Sequence, residues 1–358
     1  MTPMPPPCPP RPTDRASRND GRRIATGKGV AYDFGMRRIF PRILWLGLLG
    51  LLSGAPVIAG DLTEAMRLYS ARQLAESRKA LEGLTNSAGV SAEAHYWLGR
   101  IALEQQRAPD GVTALEQAVA LASTNSLFRE WLGRGYGTLA VEANLFKRPG
   151  YAKKTLASFL TAVELDGSNV PAREMLIAYY SGAPGFMGGS ATKAMEQVEA
   201  IKKLDPVAGA AVHARQYAQD GDRIQAEKIL RQAVAVHPSN AVARVHLGTW
   251  LLNEGKFPEA WKELREARVL SPTNGPAQFY LARTALRMGE HFREGEEALR
   301  EYLKIQPPYG NPTPATAHYL LGLLLEKLKR PEDAQAEFVR ASSLEPGNRL
   351  YTSRIRGK

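Results

Sequence analysis

Five positions recur along this chain at fixed spacing, and that spacing restricts the fold more than any other feature. Gly248 is followed by Ala260, Leu264, Ala267 and Pro272, at offsets of 12, 16, 19 and 24 residues. Gly322 is followed at the same offsets by Ala334, Phe338, Ala341 and Pro346, and Ala214 by Ala226, Leu230, Ala233 and Pro238. Gly99, Gly111, Leu115 and Ala118 repeat the first three offsets, with Ser123 where the proline would stand. Two amphipathic helices joined by a tight turn approach closely only where small side chains face each other, which the paired Gly and Ala provide. Leu264 or Phe338 then fills the space between them. The proline stops the second helix, because it has no amide hydrogen and clashes with the preceding turn. Asn240, Asn274 and Asn348 each follow that proline by two residues, and Asn is a favoured helix N-cap.

A 34-residue helix-turn-helix with this small, small, large, small, proline spacing resembles the tetratricopeptide repeat. The resemblance implies an all-α chain, a right-handed α-solenoid of about eight helix-turn-helix repeats over residues 60–348, with 349–358 as a C-terminal capping segment. Some units are degenerate. Ala282, Gly295, Leu299, Tyr302 and Pro307 carry one extra residue, and the stretch 62–84 is a weak unit that suits an N-terminal cap.

The third and fourth units carry insertions. From Gly133 to Thr155 is 22 residues where the repeat has 12, so about ten extra residues, including 143–150, are expected between the two helices. The fourth unit inserts 181–190, rich in glycine, at the corresponding place. Insertions at the same point of successive repeats emerge on one edge. Leu145, Phe146, Phe186 and Met187 are apolar residues in this turn-forming sequence. They read either as contacts for a partner, since loops on rigid scaffolds often carry binding, or as side chains that fold back over the local core. Gly185, Gly188 and Gly189 make no phosphate loop, because no strand precedes them and no Gly-Lys-Ser or Gly-Lys-Thr follows.

The first 59 residues differ in kind from the rest. Residues 36–59 have the three parts of a secretory signal peptide: Arg37, Arg38 and Arg42, then a Leu-rich run from Ile43 to Leu52, then small residues. Val57 and Ala59 place a cut after Ala59. The product is then periplasmic or secreted; the alternative is an inner-membrane anchor at 43–59. Residues 1–35, rich in Pro and Arg, read as a disordered leader upstream of a true start at Met36. The single cysteine, Cys8, lies there, so the body has no thiol chemistry. The formal charge of +11 shrinks as well. Residues 1–59 hold nine Lys and Arg against three Asp, which leaves the body at +5 and gives a nucleic-acid partner little support.

The repeat resemblance carries expectations about binding. In that family the first helix of each repeat lines a concave groove, with the residue after the small Gly or Ala pointing into it. In this sequence those residues are Arg100, Arg134, Arg215, Thr249, Arg283 and Leu323, with Tyr96 and Phe279 one turn earlier. An arginine track suits carboxylates and other anionic groups. The competing reading is a solvated face paired with acids such as Glu104 and Glu130.

Catalysis has no constellation to stand on. His95, His213, His237, His246, His291 and His318 are dispersed, with no His-Glu-x-x-His, no nucleophile elbow and no metal or cofactor signature. The expected role is therefore not enzymatic. It is an exported scaffold or adaptor for protein partners in the cell envelope, with no nucleic acid and with membrane contact only through an uncleaved N-terminal segment. The alternative is a periplasmic solute-binding component whose arginine-lined groove takes a small anionic ligand.

Overall fold

The computed structural model describes residues 58–305 and 312–355. The leader 1–35, nearly all of the signal-like segment 36–59 and the end 356–358 lie outside the described residues. The expected cut after Ala59 falls in the first turn of the first helix, Ile58–Ser70.

Helices follow one another in pairs: α1 (Ile58–Ser70) with α2 (Leu74–Leu84), α3 (Ser91–Glu104) with α4 (Ala108–Leu121), α5 (Ser126–Glu142) with α6 (Arg148–Leu165), and α7 (Val170–Gly182) with α8 (Ala191–Leu204). Four more pairs complete the array: α9 (Pro206–Gln219) and α10 (Arg223–Val236), α11 (Ala241–Asn253) and α12 (Phe257–Leu270), α13 (Gly275–Met288) and α14 (Phe292–Lys304), α15 (Pro314–Lys327) and α16 (Pro331–Leu344). A single turn, α17 (Arg349–Thr352), closes the end. There is no strand among the described residues, and none of the helices is long and apolar enough to cross a membrane. The architecture is an α-solenoid of eight helix pairs.

The recurrent small residues do what their spacing requires. A Cβ on Gly248 would stand 2.6 Å from Leu264 Cγ, so α11 and α12 meet at a separation only glycine permits there. Phe159 fills the same position opposite Gly133, and Phe338 opposite Gly322. Leu264, Leu115, Phe159 and Phe338 are all buried. The asparagines after each proline cap the following helices: the side chain of Asn240 accepts from the Ala243 amide at 3.0 Å, and that of Asn274 from Ala277 at 2.9 Å. Asn125 and Asn169 cap α5 and α7 in the same way.

In six of the eight pairs the chain reverses through a short turn with a residue in the left-handed region. That residue is Gly221, Gly255 or Gly289 in three turns, but Arg72, Gln106 or Lys329, with φ of 59–60°, in the others. The third and fourth pairs, those with insertions, lack this short turn; in the longer connection of the fourth, Gly188 takes the left-handed conformation after a 3-10 turn.

The insertion in the third pair is not the loop its composition suggests. Helix α5 runs nine residues beyond Gly133 where α11 runs five beyond Gly248, and α6 begins seven residues before Thr155 where α12 begins three before Ala260. Each helix is thus about one turn, ~6 Å, longer at the same end, leaving a connection of only 143–147. Helix propensity explains the difference: the flanking Leu139-Ala-Val-Glu142 and Tyr151-Ala-Lys-Lys154 continue the two helices outward, and only Asn144, Pro149 and Gly150 favour a turn. In the fourth pair the insertion is a loop, though shorter than 181–190, because Ser181 and Gly182 complete α7.

The far end is sealed by Tyr351. Its ring lies 5.2 Å from Tyr319, and its hydroxyl is 3.0 Å from Thr316 Oγ1. Residues 349–355 thereby cover the apolar face that a ninth repeat would otherwise bury.

Candidate binding surface on the inner helices

First helices of successive repeats touch one another along an inner row, at α3–α5 and from α9 through α11 and α13 to α15. The arginines expected to line this row fall into two groups with different surroundings.

At the N-terminal end they are engaged. The Arg100 guanidinium lies between two indoles, its carbon 4.4 Å from the Trp97 ring centre and 4.3 Å from that of Trp131. It donates to the hydroxyl of Tyr96 at 3.1 Å and to that of Tyr69 at 3.4 Å. Tyr69 in turn donates to Glu104, whose other oxygen accepts from Arg72 at 2.9 Å. Burial pushes the Tyr69 phenol well above its ordinary pKa, so it stays a donor here. Arg134 donates through Nε to Glu130 at 2.8 Å, and Glu130 is itself buried. Tyr96 is 4% exposed and stacks on Phe128 with ring centres 4.9 Å apart.

Tyr96, Arg100 and Arg134 therefore form an aromatic and ionic cluster with α1, α3 and α5, in which Arg134 is paired through Nε and Arg100 Nε is buried without a partner. The sequence places these residue types together, but Trp97 and Trp131 are the missed partners. They lie one helical turn before Arg100 and Arg134, a spacing at which an arginine folds back onto the ring.

Further along, the surroundings change. Arg215 on α9 and Arg283 on α13 are exposed, and neither has an ion pair or hydrogen bond among the described residues. Between them on α11 stands Thr249, half-buried, whose Oγ1 is itself buried and has no hydrogen-bond partner, so it does not face the row. His246, one turn before it, is held neutral: burial, helped by the nearby positive charge of Arg215 and opposed by Asp205, lowers its pKa to about 4. Leu323 on α15 is half-buried in the same row. Phe279, expected at the groove, is 3% exposed and packs against Tyr302 and Tyr280, so it belongs to the core. Its ring lies 5.4 Å from that of fully buried Tyr302 on α14, between the two helices of the pair.

The inserted segments present the opposite case. Phe146 is 95% exposed and Leu145 78%, and Phe186 is 87% exposed, so none of the three folds back over the core. Met187 is half-buried, in a single 3-10 turn, Gly185–Met187, whose carbonyl at Met187 accepts from the Tyr179 hydroxyl at 2.7 Å.

Two of the remaining histidines are engaged by neighbouring side chains. His318 Nδ1 is 2.6 Å from Glu337, a buried carboxylate that also accepts from Arg340 at 2.5 Å. Burial raises the Glu337 pKa, but His318 and the charges of Arg340 and Arg300 outweigh it, and the net shift is downward. His291 stacks on Trp261 at 4.5 Å. No group of three His, Cys, Asp or Glu among the described residues could hold a metal ion.

The family model for the tetratricopeptide repeat matches residues 62–126, 212–275 and 279–347, more than half of the chain. The chain belongs to the tetratricopeptide-repeat family. The unmatched stretch, 127–211, is where the tetratricopeptide pattern is broken by the two insertions and where α5 and α6 outgrow it. No curated relative matches the sequence.

Among solved structures the chain is similar to several tetratricopeptide-repeat proteins. One, a thermophilic protein from Thermus thermophilus, is 18% identical with a TM-score of 0.40, over 64% of this chain and 100% of that one. Another, from Parabacteroides merdae ATCC 43184, is 13% identical with a TM-score of 0.40, over 84% and 97%. A third is an APC/C hetero-tetramer of Cut9 and Hcn1, 13% identical with a TM-score of 0.44, over 83% of this chain and 55% of that one, so the match spans about half of that chain's length.

Proposed function

We propose that this tetratricopeptide-repeat protein is an exported scaffold that holds an acidic, extended segment of a protein partner against α9, α11, α13 and α15. The observation that carries the reading is the pair of unpaired, exposed arginines, Arg215 and Arg283, on the inner row. Most other arginines of the array are already ion-paired, many of them to neighbouring helices. Two free guanidiniums set two repeats apart match carboxylates spaced along an extended chain, and apolar Leu323 continues the row. Support for export comes from the signal-like pattern of residues 36–59, and with it the setting of the cell envelope.

The test is crosslinking capture from envelope fractions with the wild-type chain and an Arg215→Glu, Arg283→Glu variant of unchanged helicity. Capture that is lost in the variant supports the inner row as the site. Capture by both chains equally would remove it. Thermal stabilisation by small carboxylates without any captured protein would favour an anionic solute as the natural ligand instead.

A further inference from the structure

The lengthened hairpin of α5 and α6 ends in a tip that is both apolar and basic, and that is firmly built. Val141, Leu145 and Phe146 are 79%, 78% and 95% exposed. The side chain of Asn144 accepts from the Lys147 amide at 3.1 Å, and the Arg148 guanidinium donates to the Ala140 and Ala143 carbonyls at 3.2 Å each. The Arg148 bonds satisfy two carbonyls at the C-terminal end of α5 and the Asn144 bond fixes the connection, so that Leu145 and Phe146 point out by construction.

The charge around them is predominantly basic. From Val141 to Thr155 there are four cations, Lys147, Arg148, Lys153 and Lys154, against one acid, Glu142. All four are exposed, and none has an ion pair among the described residues. The neighbouring loop on the same edge adds exposed Phe186. It is held to α6 by Gly188, whose φ of +97° and packing near Leu156 leave a Cβ only 3.3 Å of room.

We infer that the α5–α6 tip docks on an anionic lipid surface, with Leu145 and Phe146 entering the headgroup boundary and Lys147, Lys153 and Lys154 meeting the lipid phosphates. A convex tip favours this over a protein partner. Two apolar side chains at the end of a projecting hairpin have no groove of their own to offer, whereas a bilayer accepts a projection from any direction, and a collar of lysines without ion pairs matches its charge. The expectation that only the N-terminal segment meets a membrane is thereby extended to a second site, 143–154, which operates whether or not that segment is removed.

The experiment uses the full chain in a Cys8→Ser background, with an environment-sensitive dye on Phe146→Cys or, as control, on Val269→Cys at the opposite end of a helix pair. Mixed phosphatidylglycerol and phosphatidylcholine vesicles should blue-shift the dye at 146, with quenching by lipid-borne quenchers, and leave the dye at 269 unchanged. Pure phosphatidylcholine vesicles should give little shift. Lys147→Glu, Lys153→Glu, Lys154→Glu should weaken the response by at least roughly tenfold. A chain that sediments with anionic vesicles while the dye at 146 stays in water overturns the proposal, because another segment then makes the contact. A response to poly-glutamate but not to vesicles also overturns it, in favour of an acidic protein partner.

Discussion

Single residues set the geometry of this array, and a few of them can be tested in isolation. Gly248→Ala gains about 1 kcal/mol of helix propensity, yet it drives a methyl group into the branch point of buried Leu264 at 2.6 Å. Overpacking of that kind costs about 1–3 kcal/mol, so a net loss of stability in urea unfolding is expected. His246 gives the array a pH dependence. Its folded pKa of about 4 lies below the ordinary 6.5, so the unfolded chain takes up the proton first. Stability should be greatest above pH 6.5 and fall between 6.5 and about 4, by at most about 1.4 kcal/mol per pH unit, and His246→Gln should flatten that slope in pH-dependent denaturation. The spacing of Gly248, Leu264 and Pro272 made the packing legible from sequence. The fate of Arg100 was not legible, because an arginine on a first helix reads the same whether it faces solvent or lies between two indoles contributed by different repeats.

At the scale of elements, the helix turns are alike in backbone although unlike in sequence. Lys329 occupies the left-handed position that Gly255 holds in another repeat, and an L-residue there bears a cost of about 1 kcal/mol. Lys329→Gly should raise stability by about 0.5–1 kcal/mol, while Gly255→Ala should lower it by a comparable amount, both measurable by chemical denaturation. Helix existence, pairing and stop signals follow from the proline and asparagine spacing. The insertion of the third pair does not, because extra residues between two helices are read as a loop by count alone. Only the helix-forming run on either side of Asn144 decides that most of them lengthen α5 and α6. The exposure of Phe146 is equally hidden in the sequence, where an apolar residue in a turn is as readily a seal as a contact.

Among the described residues the main helix contacts run within a repeat or between neighbouring repeats, so perturbations should stay local. Tyr351→Ala removes a ring that is 5% exposed at one end, and should cost about 3 kcal/mol in the last pair alone. Hydrogen exchange should then quicken in α15 and α16 and remain unchanged in α3 to α6; a uniform increase would show that the array unfolds as one unit. The same segregation holds for the two halves of the inner row, one closed on itself around Arg100 and one with Arg215 and Arg283 free.

The stacking of Trp261 on His291, and of Trp97 and Trp131 around Arg100, gives each half its own native chromophores. Trp261 has an imidazole ring stacked against it, whereas Trp97 and Trp131 share a guanidinium. His291→Ala should therefore alter tryptophan emission from one half of the array and Arg100→Ala that from the other, so that each half reports on itself without an added label.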